Sequence, residues 1–153
     1  EKRIKVIGEI AYPDVGIHLP IGKGVDNLTL ALAAGTLKEN EKMGKGNYAL
    51  AGHHMIDKKV LFGPLYWKAK VGQKVYLTDE KNIYEYQVTT RKFIKATDVQ
   101  VIDDVKDQKL LTLVTCDATG AGRLMIRGKL VKEMKHQEAP ASVQKLFSRQ
   151  FNR

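Results

Sequence analysis

Apolar and β-branched residues come in short runs along this chain, each cut by Pro, Gly, Asp or Asn. Ile4 to Ile10 is the first run; Pro13-Asp14 breaks it, and Val15 to Leu19 resumes before Pro20. Asp26-Asn27 caps a short helix through Leu28, Leu30, Ala31 and Leu32, which Gly35 is expected to stop. Lys38 to Asn47 is polar and glycine-containing, hence a loop, and Tyr48 to Ala51 is a strand ending at Gly52. Leu61 to Lys68 suggests a helical turn carrying Leu65 and Trp67. Val71 to Leu77 and Ile83 to Val88 form a hairpin around Thr78 to Asn82, with Phe93-Ile94 extending the sheet. Thr97 to Asp104 is a loop or short turn. Leu110 to Thr115 is apolar or β-branched throughout, as in a fully buried central strand, and Leu124 to Val131 makes another. Pro140 opens a last helix with Val143, Leu146, Phe147 and Phe151 on one face. About eight strands with few helices favour a closed barrel or a sandwich in one domain, residues 1–153.

Composition narrows the class. With 153 residues, 43% hydrophobic and 28% charged, the chain is a globular domain with a core rather than a disordered tail. No apolar run approaches the roughly 18 residues that span a bilayer. Glu1-Lys2-Arg3 leads straight into a strand-like segment, so the domain is either cytosolic or preceded by an export segment outside this sequence. Twenty-six basic against 17 acidic residues leave a net charge of +9. The lysines are scattered rather than clustered. That suits a solvated basic surface or a nearby anionic envelope better than a specific nucleic-acid face.

The single cysteine, Cys116, excludes an internal disulfide and a cysteine-based zinc cluster. A lone Cys is ordinarily a small buried hydrophobe. This one ends the buried run Leu111-Thr112-Leu113-Val114-Thr115 and precedes Asp117 to Gly122, an apparent exposed loop. A thiol where a rigid strand meets a loop is held yet reachable, as a nucleophile must be. Arg123 opens the next strand, and a hairpin would bring its guanidinium beside Cys116, where it favours developing negative charge. His18 and His136 stand alone and read as surface or structural residues. His53 and His54 follow the Tyr48 strand across Gly52; a histidine at a strand end is structural or catalytic. Adjacent histidines point to opposite faces, so at most one of the two can easily face Cys116. They make a poor metal site, with no Asp, Glu or Cys at ligand spacing.

Three segments together resemble the sortase family. Thr112 to Cys116 (TLVTC) is similar to its TLxTC signature, Tyr48 to His54 (YALAGHH) to its histidine strand, and Gly122 to Leu130 (GRLMIRGKL) to the strand opening with its arginine. The likeness extends over IGEIAYPDVGIHLPI, NLTLALAAGTLKENEKMGKGN and LFGPL, nearly the whole chain in order. Within the family it looks like a class A, housekeeping member. The N-terminal lid and C-terminal membrane segment usual in class C are not visible, and the terminal helix with Phe147 and Phe151 is similar to streptococcal-type class A enzymes.

The resemblance implies an all-β fold, an eight-stranded closed barrel with short helices including a C-terminal one. It implies a catalytic domain held on the outer face of a Gram-positive membrane by an N-terminal anchor preceding these residues. The implied substrate is a surface protein with a C-terminal Leu-Pro-X-Thr-Gly sorting signal. Cys116 attacks the Thr carbonyl and forms a thioester, and an amine of the peptidoglycan precursor lipid II resolves it. His53 serves as general acid and base, and Arg123, with the Thr115 backbone, stabilises the oxyanion or substrate. Ala51, Gly52, Val99, Val101, Ile102, Val114 and Thr115 are the expected groove, with His54 touching substrate or nucleophile. Some class A members use calcium. Here the loop keeps Glu39 and Glu41 but has Lys38 and Lys45 where carboxylates stand in that subgroup, and Asp103 and Asp104 cannot supply the missing ligands. No metal or other cofactor is expected. Two rivals remain: a cysteine hydrolase without transfer, and a non-enzymatic basic barrel binding nucleic acid through Tyr84 and Tyr86 near Arg91 and Lys92, although no nucleic-acid partner is expected.

Overall fold

A computed structural model describes residues 3–55, 57–116 and 122–153, with Cys116 described by its backbone. The strands are β1 (Val6–Tyr12), β2 (Ile17–Gly22), β3 (Ala34–Thr36), β4 (Asn47–His53), β5 (Lys74–Thr78), β6 (Asn82–Ile94), β7 (Leu110–Cys116) and β8 (Arg123–Lys135). They close into a barrel in the order β1-β2-β3-β4-β7-β8-β6-β5. Closure decides between the barrel and the sandwich. Among the described residues three short α-helices decorate it: α1 (Asn27–Leu32), α2 (Pro64–Lys68) and α3 (Ala141–Gln144). Among the described residues no helix is long and apolar enough to cross a membrane.

Alternation along the strands fills the interior. Ile10, Tyr12, Leu19, Ile21, Tyr48, Leu50, Leu77, Tyr86, Leu113, Leu124 and Ile126 share one buried cluster. Each such side chain contributes about 1.5–3 kcal/mol relative to exposure. Tyr84 and Tyr86 belong to that cluster, so neither offers a ring face to a nucleic-acid base; Tyr86 Oη instead accepts the Gly44 N–H at 2.8 Å. β7 is buried from Leu110 to Thr115, as its unbroken apolar run predicts.

Some expected boundaries shift. The Asp26 side chain caps α1 by accepting the Thr29 N–H at 2.8 Å, but Ala33 is already extended and Gly35 belongs to β3. The expected strand at Phe93-Ile94 is the end of a single long β6. The C-terminal helix is short: α3 gives way to a 3-10 turn at Lys145–Ser148, and Phe151 lies beyond both. Tertiary bonds outcompete the helix there. Asn152 accepts the His18 N–H on Oδ1 at 2.9 Å and donates its own N–H to the His18 carbonyl at 3.1 Å. His18 is buried and structural, its ring 4.6 Å from Phe151 and its nitrogens meeting Glu9 Oε1 and the Arg149 carbonyl. The loop expected at Asp117 to Gly122 lies, apart from Gly122, outside the described residues.

β4 and β7 run parallel, paired residue for residue from Asn47↔Leu110 to His53↔Cys116. Near its end β4 tolerates no side chain at one point. A Cβ on Gly52 would sit 2.4 Å from the fully buried Phe62 ring. Gly52→Ala is therefore expected to destabilise the domain by about 1–3 kcal/mol, the scale of core overpacking. Urea denaturation would measure this, and an unchanged midpoint would contradict the close approach.

Candidate functional site

Three strand ends meet at one rim of the barrel. β4 ends at His53, β7 ends at Cys116, and the parallel ladder pairs these two residues directly. β7 and β8 pair antiparallel, as the hairpin expectation requires, up to Val114↔Met125. Continuing that register by two residues sets Cys116 opposite Arg123. On its other side Arg123 pairs with Ile94, the last residue of β6. Thus His53 and Cys116, 63 positions apart in sequence, stand side by side, and Arg123 opens the next strand at the same rim.

Where the β7–β8 ladder stops, a side chain takes over. Thr115 Oγ1 accepts the Leu124 N–H at 2.9 Å and lies 2.8 Å from Tyr66 Oη of α2. Phe62 donates its N–H to the His53 carbonyl at 2.9 Å, fixing the chain after β4. His54 continues with an isolated bridge to Leu61 and stacks on the Tyr66 ring at 3.9 Å between centroids. Asn152 extends this brace by donating Nδ2–H to the Lys59 and Leu61 carbonyls.

The expected groove residues divide by exposure. Ala51, Gly52, Val114 and Thr115 are buried, with Ala51 and Val114 paired in register. Val99 is 70% exposed on the 3-10 turn Val99–Ile102, and Val101 and Ile102 are half-buried. Residues unnoticed in the sequence hold this turn. The Asn47 side chain donates to the Val101 and Asp103 carbonyls at 2.9 and 3.0 Å, and Arg127 also donates to the Val101 carbonyl. Thr112 bonds Asn47 Oδ1 at 2.6 Å. Thr112 and Arg127 show in the sequence only as polar residues inside apolar strands, and Asn47 falls in the expected loop although it opens β4.

The loop before β4 forms a recess of about 250 Å³ lined by Lys38, Glu41, Lys45 and Asp104 among others. Lys38 Nζ lies 3.1 Å from Asp104 Oδ1, which also accepts the Asn47 N–H at 2.7 Å. The Asn47 N–H first, then Lys38, hold Asp104 below the ordinary carboxylate value. Gly46, at φ +54°, is required here, since a Cβ would lie 2.5 Å from Asp104 Oδ1.

Glu41 behaves oppositely. Burial pushes its carboxyl up to about 7 against the Ala49 N–H and Lys38, which favour the charge, while Asp104 raises it slightly further. Its Oε2 is buried without a hydrogen-bond partner among the described residues. A folded-state value above the unfolded one means the folded protein holds the proton more tightly. Glu41 therefore favours folding at low pH, and this contribution declines as pH rises from 4.5 towards about 7. Glu41→Gln should flatten the stability–pH profile across that window, measured by thermal unfolding at several pH values; an unaltered slope would contradict the burial argument.

Comparison with known proteins agrees with this fold. The Sortase domain model matches residues 10–131. The chain belongs to the sortase family. Its similarity falls on class A: it is 44% identical to Sortase A of Listeria monocytogenes over 89% of this chain and 64% of that protein. It is also 44% identical to Sortase A of Streptococcus agalactiae, over 97% of this chain and 62% of that protein. The crystal structure of Listeria monocytogenes sortase A superposes with a TM-score of 0.85 at 41% identity, covering 95% of this chain and 99% of that one. The chain thus spans somewhat under two thirds of the length of these curated relatives.

Proposed function

We propose that this domain is a cysteine transpeptidase acting on surface proteins that carry a Leu-Pro-X-Thr-Gly sorting signal. The observation that carries this reading is the register: His53 paired with Cys116, and Arg123 at the same level on the next strand. In this reading the Cys116 thiolate attacks the Thr carbonyl, and Arg123 stabilises the oxyanion of the tetrahedral intermediate. His53 protonates the departing Gly amine as the C–N bond breaks, leaving a thioester on Cys116. An amine of lipid II then attacks that thioester, its proton passes to His53, and the thiolate departs. The protein ends amide-linked to the cell-wall precursor at the Gram-positive cell surface, where an N-terminal membrane anchor would hold the enzyme. In this reading Val99, Val101, Ile102, Ala51, Gly52, Val114 and Thr115 shape the groove for the Leu-Pro pair, and His54 touches substrate or nucleophile.

Mass spectrometry of the products from a Leu-Pro-X-Thr-Gly peptide plus triglycine tests this. The expected product is the peptide cut after Thr and extended by triglycine; a free acid alone in excess triglycine would indicate a hydrolase. Cys116→Ala should abolish both cleavage and transfer. His53→Ala should lose about 10²–10⁴-fold in kcat/KM, the range for a lost general acid and base, and His54→Ala much less. Equal losses in the two histidine variants would contradict the assignment.

The same reading takes activity to be independent of calcium. Lys38 brings its ammonium to Asp104, and Lys45 lines the same recess, so two basic residues oppose a dication there. Rates in excess chelator and in millimolar calcium should be equal. A several-fold stimulation unaltered by Lys38→Ala or Lys45→Ala would contradict the charge argument.

A further inference from the structure

Tyr66 touches more of the rim than any functional role so far explains. It lies in α2, a five-residue helix opened by Pro64, and is half-buried against the barrel. Arg91 of β6 donates to its carbonyl at 2.9 Å, which ties the helix to the sheet. Its ring stacks on His54 with planes inclined by 21°, and lies 6.1 Å from Phe93. Its hydroxyl meets Thr115 Oγ1, the atom that also receives the Leu124 N–H.

Two of these contacts, and the residue that Thr115 holds in turn, fall one residue from a reacting group. His54 follows His53, Thr115 precedes Cys116, and Leu124 follows Arg123. The regular β7–β8 pairing ends at Val114↔Met125, and among the described residues the Thr115 hydroxyl ties the two strands beyond that point, next to Cys116 and Arg123. That hydroxyl can rotate. A partner on its far side, Tyr66 Oη, fixes the rotamer in which Oγ1 faces the Leu124 N–H. The same tyrosine backs the chain leaving β4 through its ring.

We propose that Tyr66 is a positioning residue: it sets the spacing between the β4 end bearing His53 and the β7–β8 ends bearing Cys116 and Arg123. The inference rests on the transpeptidase reading above. Catalysis by positioned groups is steep in distance, with about 1 Å of misplacement able to cost 10²-fold. Removing one hydroxyl that steers the Thr115 rotamer should cost less than that.

Steady-state kinetics on a Leu-Pro-Ala-Thr-Gly peptide, with amide hydrogen exchange at Leu124, form the test. Tyr66→Phe keeps the ring and deletes the hydroxyl. It should lower kcat by roughly tenfold with KM within about twofold, and speed exchange of the Leu124 amide. Thr115→Val should do the same, and the double variant should be no worse than either single one. A wild-type kcat and unchanged Leu124 exchange in Tyr66→Phe, or losses that multiply in the double variant, would overturn the proposal. If the wild-type chain itself leaves the peptide intact, the transpeptidase reading fails. Leu124 exchange then decides alone whether Tyr66 holds these strand ends, faster exchange in Tyr66→Phe supporting it and unchanged exchange overturning it.

Discussion

The parallel pairing of β4 with β7 is the constraint on which the rest depends. It is an unbroken ladder of register from Asn47↔Leu110 to His53↔Cys116, closing a long loop of chain. A one-residue slip would move every side chain of β4 to the opposite face. It would also bury the wrong alternation of Tyr48, Ala49, Leu50 and Ala51. Packing therefore sets the register, and the register sets which residue stands beside Cys116. Core and site are specified by the same interaction.

The rim is then braced from outside the barrel. Phe62 lies on Gly52, its N–H on the His53 carbonyl, while Asn152 of the C-terminal segment bonds both His18 and the Lys59 and Leu61 carbonyls. Among the described residues, the segment after His53 has an isolated bridge from His54 to Leu61 and no ladder of its own. Its order comes from these side-chain and backbone bonds. A recess of about 640 Å³ lined by Met43, Tyr84, Val105 and Lys109 lies at the barrel end where β7 begins, away from this rim. Cavity size alone is a poor guide to chemistry in this fold.

Much of this was legible in the sequence, for physical reasons. The TLVTC run is apolar because β7 is buried, and the spacing to Arg123 marks a hairpin because antiparallel neighbours need only a short connection. The neighbouring histidines stood out by type. The parallel partnership of β4 and β7 was not legible, since parallel pairing leaves no local turn signal. Only the family resemblance joined His53 to Cys116 at that point. Tyr66, Asn47 and Arg127 escaped notice because their meaning lies in partners far along the chain. The apolar spacing predicts a terminal helix reaching Phe151, whereas Asn152 pulls the backbone into pairing with His18. Similarly, Tyr84 and Tyr86 near basic residues gave a false hint of a stacking surface, which their burial removes.

The central claim is that Cys116, at the end of the β4–β7 ladder, carries the acyl group. The direct measurement is to mix enzyme with excess sorting-signal peptide in the absence of an amine acceptor, quench in acid and map the adduct by tryptic mass spectrometry. The account predicts an acyl mass ending at Thr on the fragment spanning residues 110–123, which contains the chain's single cysteine. An adduct on any other fragment, or peptide cleaved with no adduct at any quench time, would contradict it.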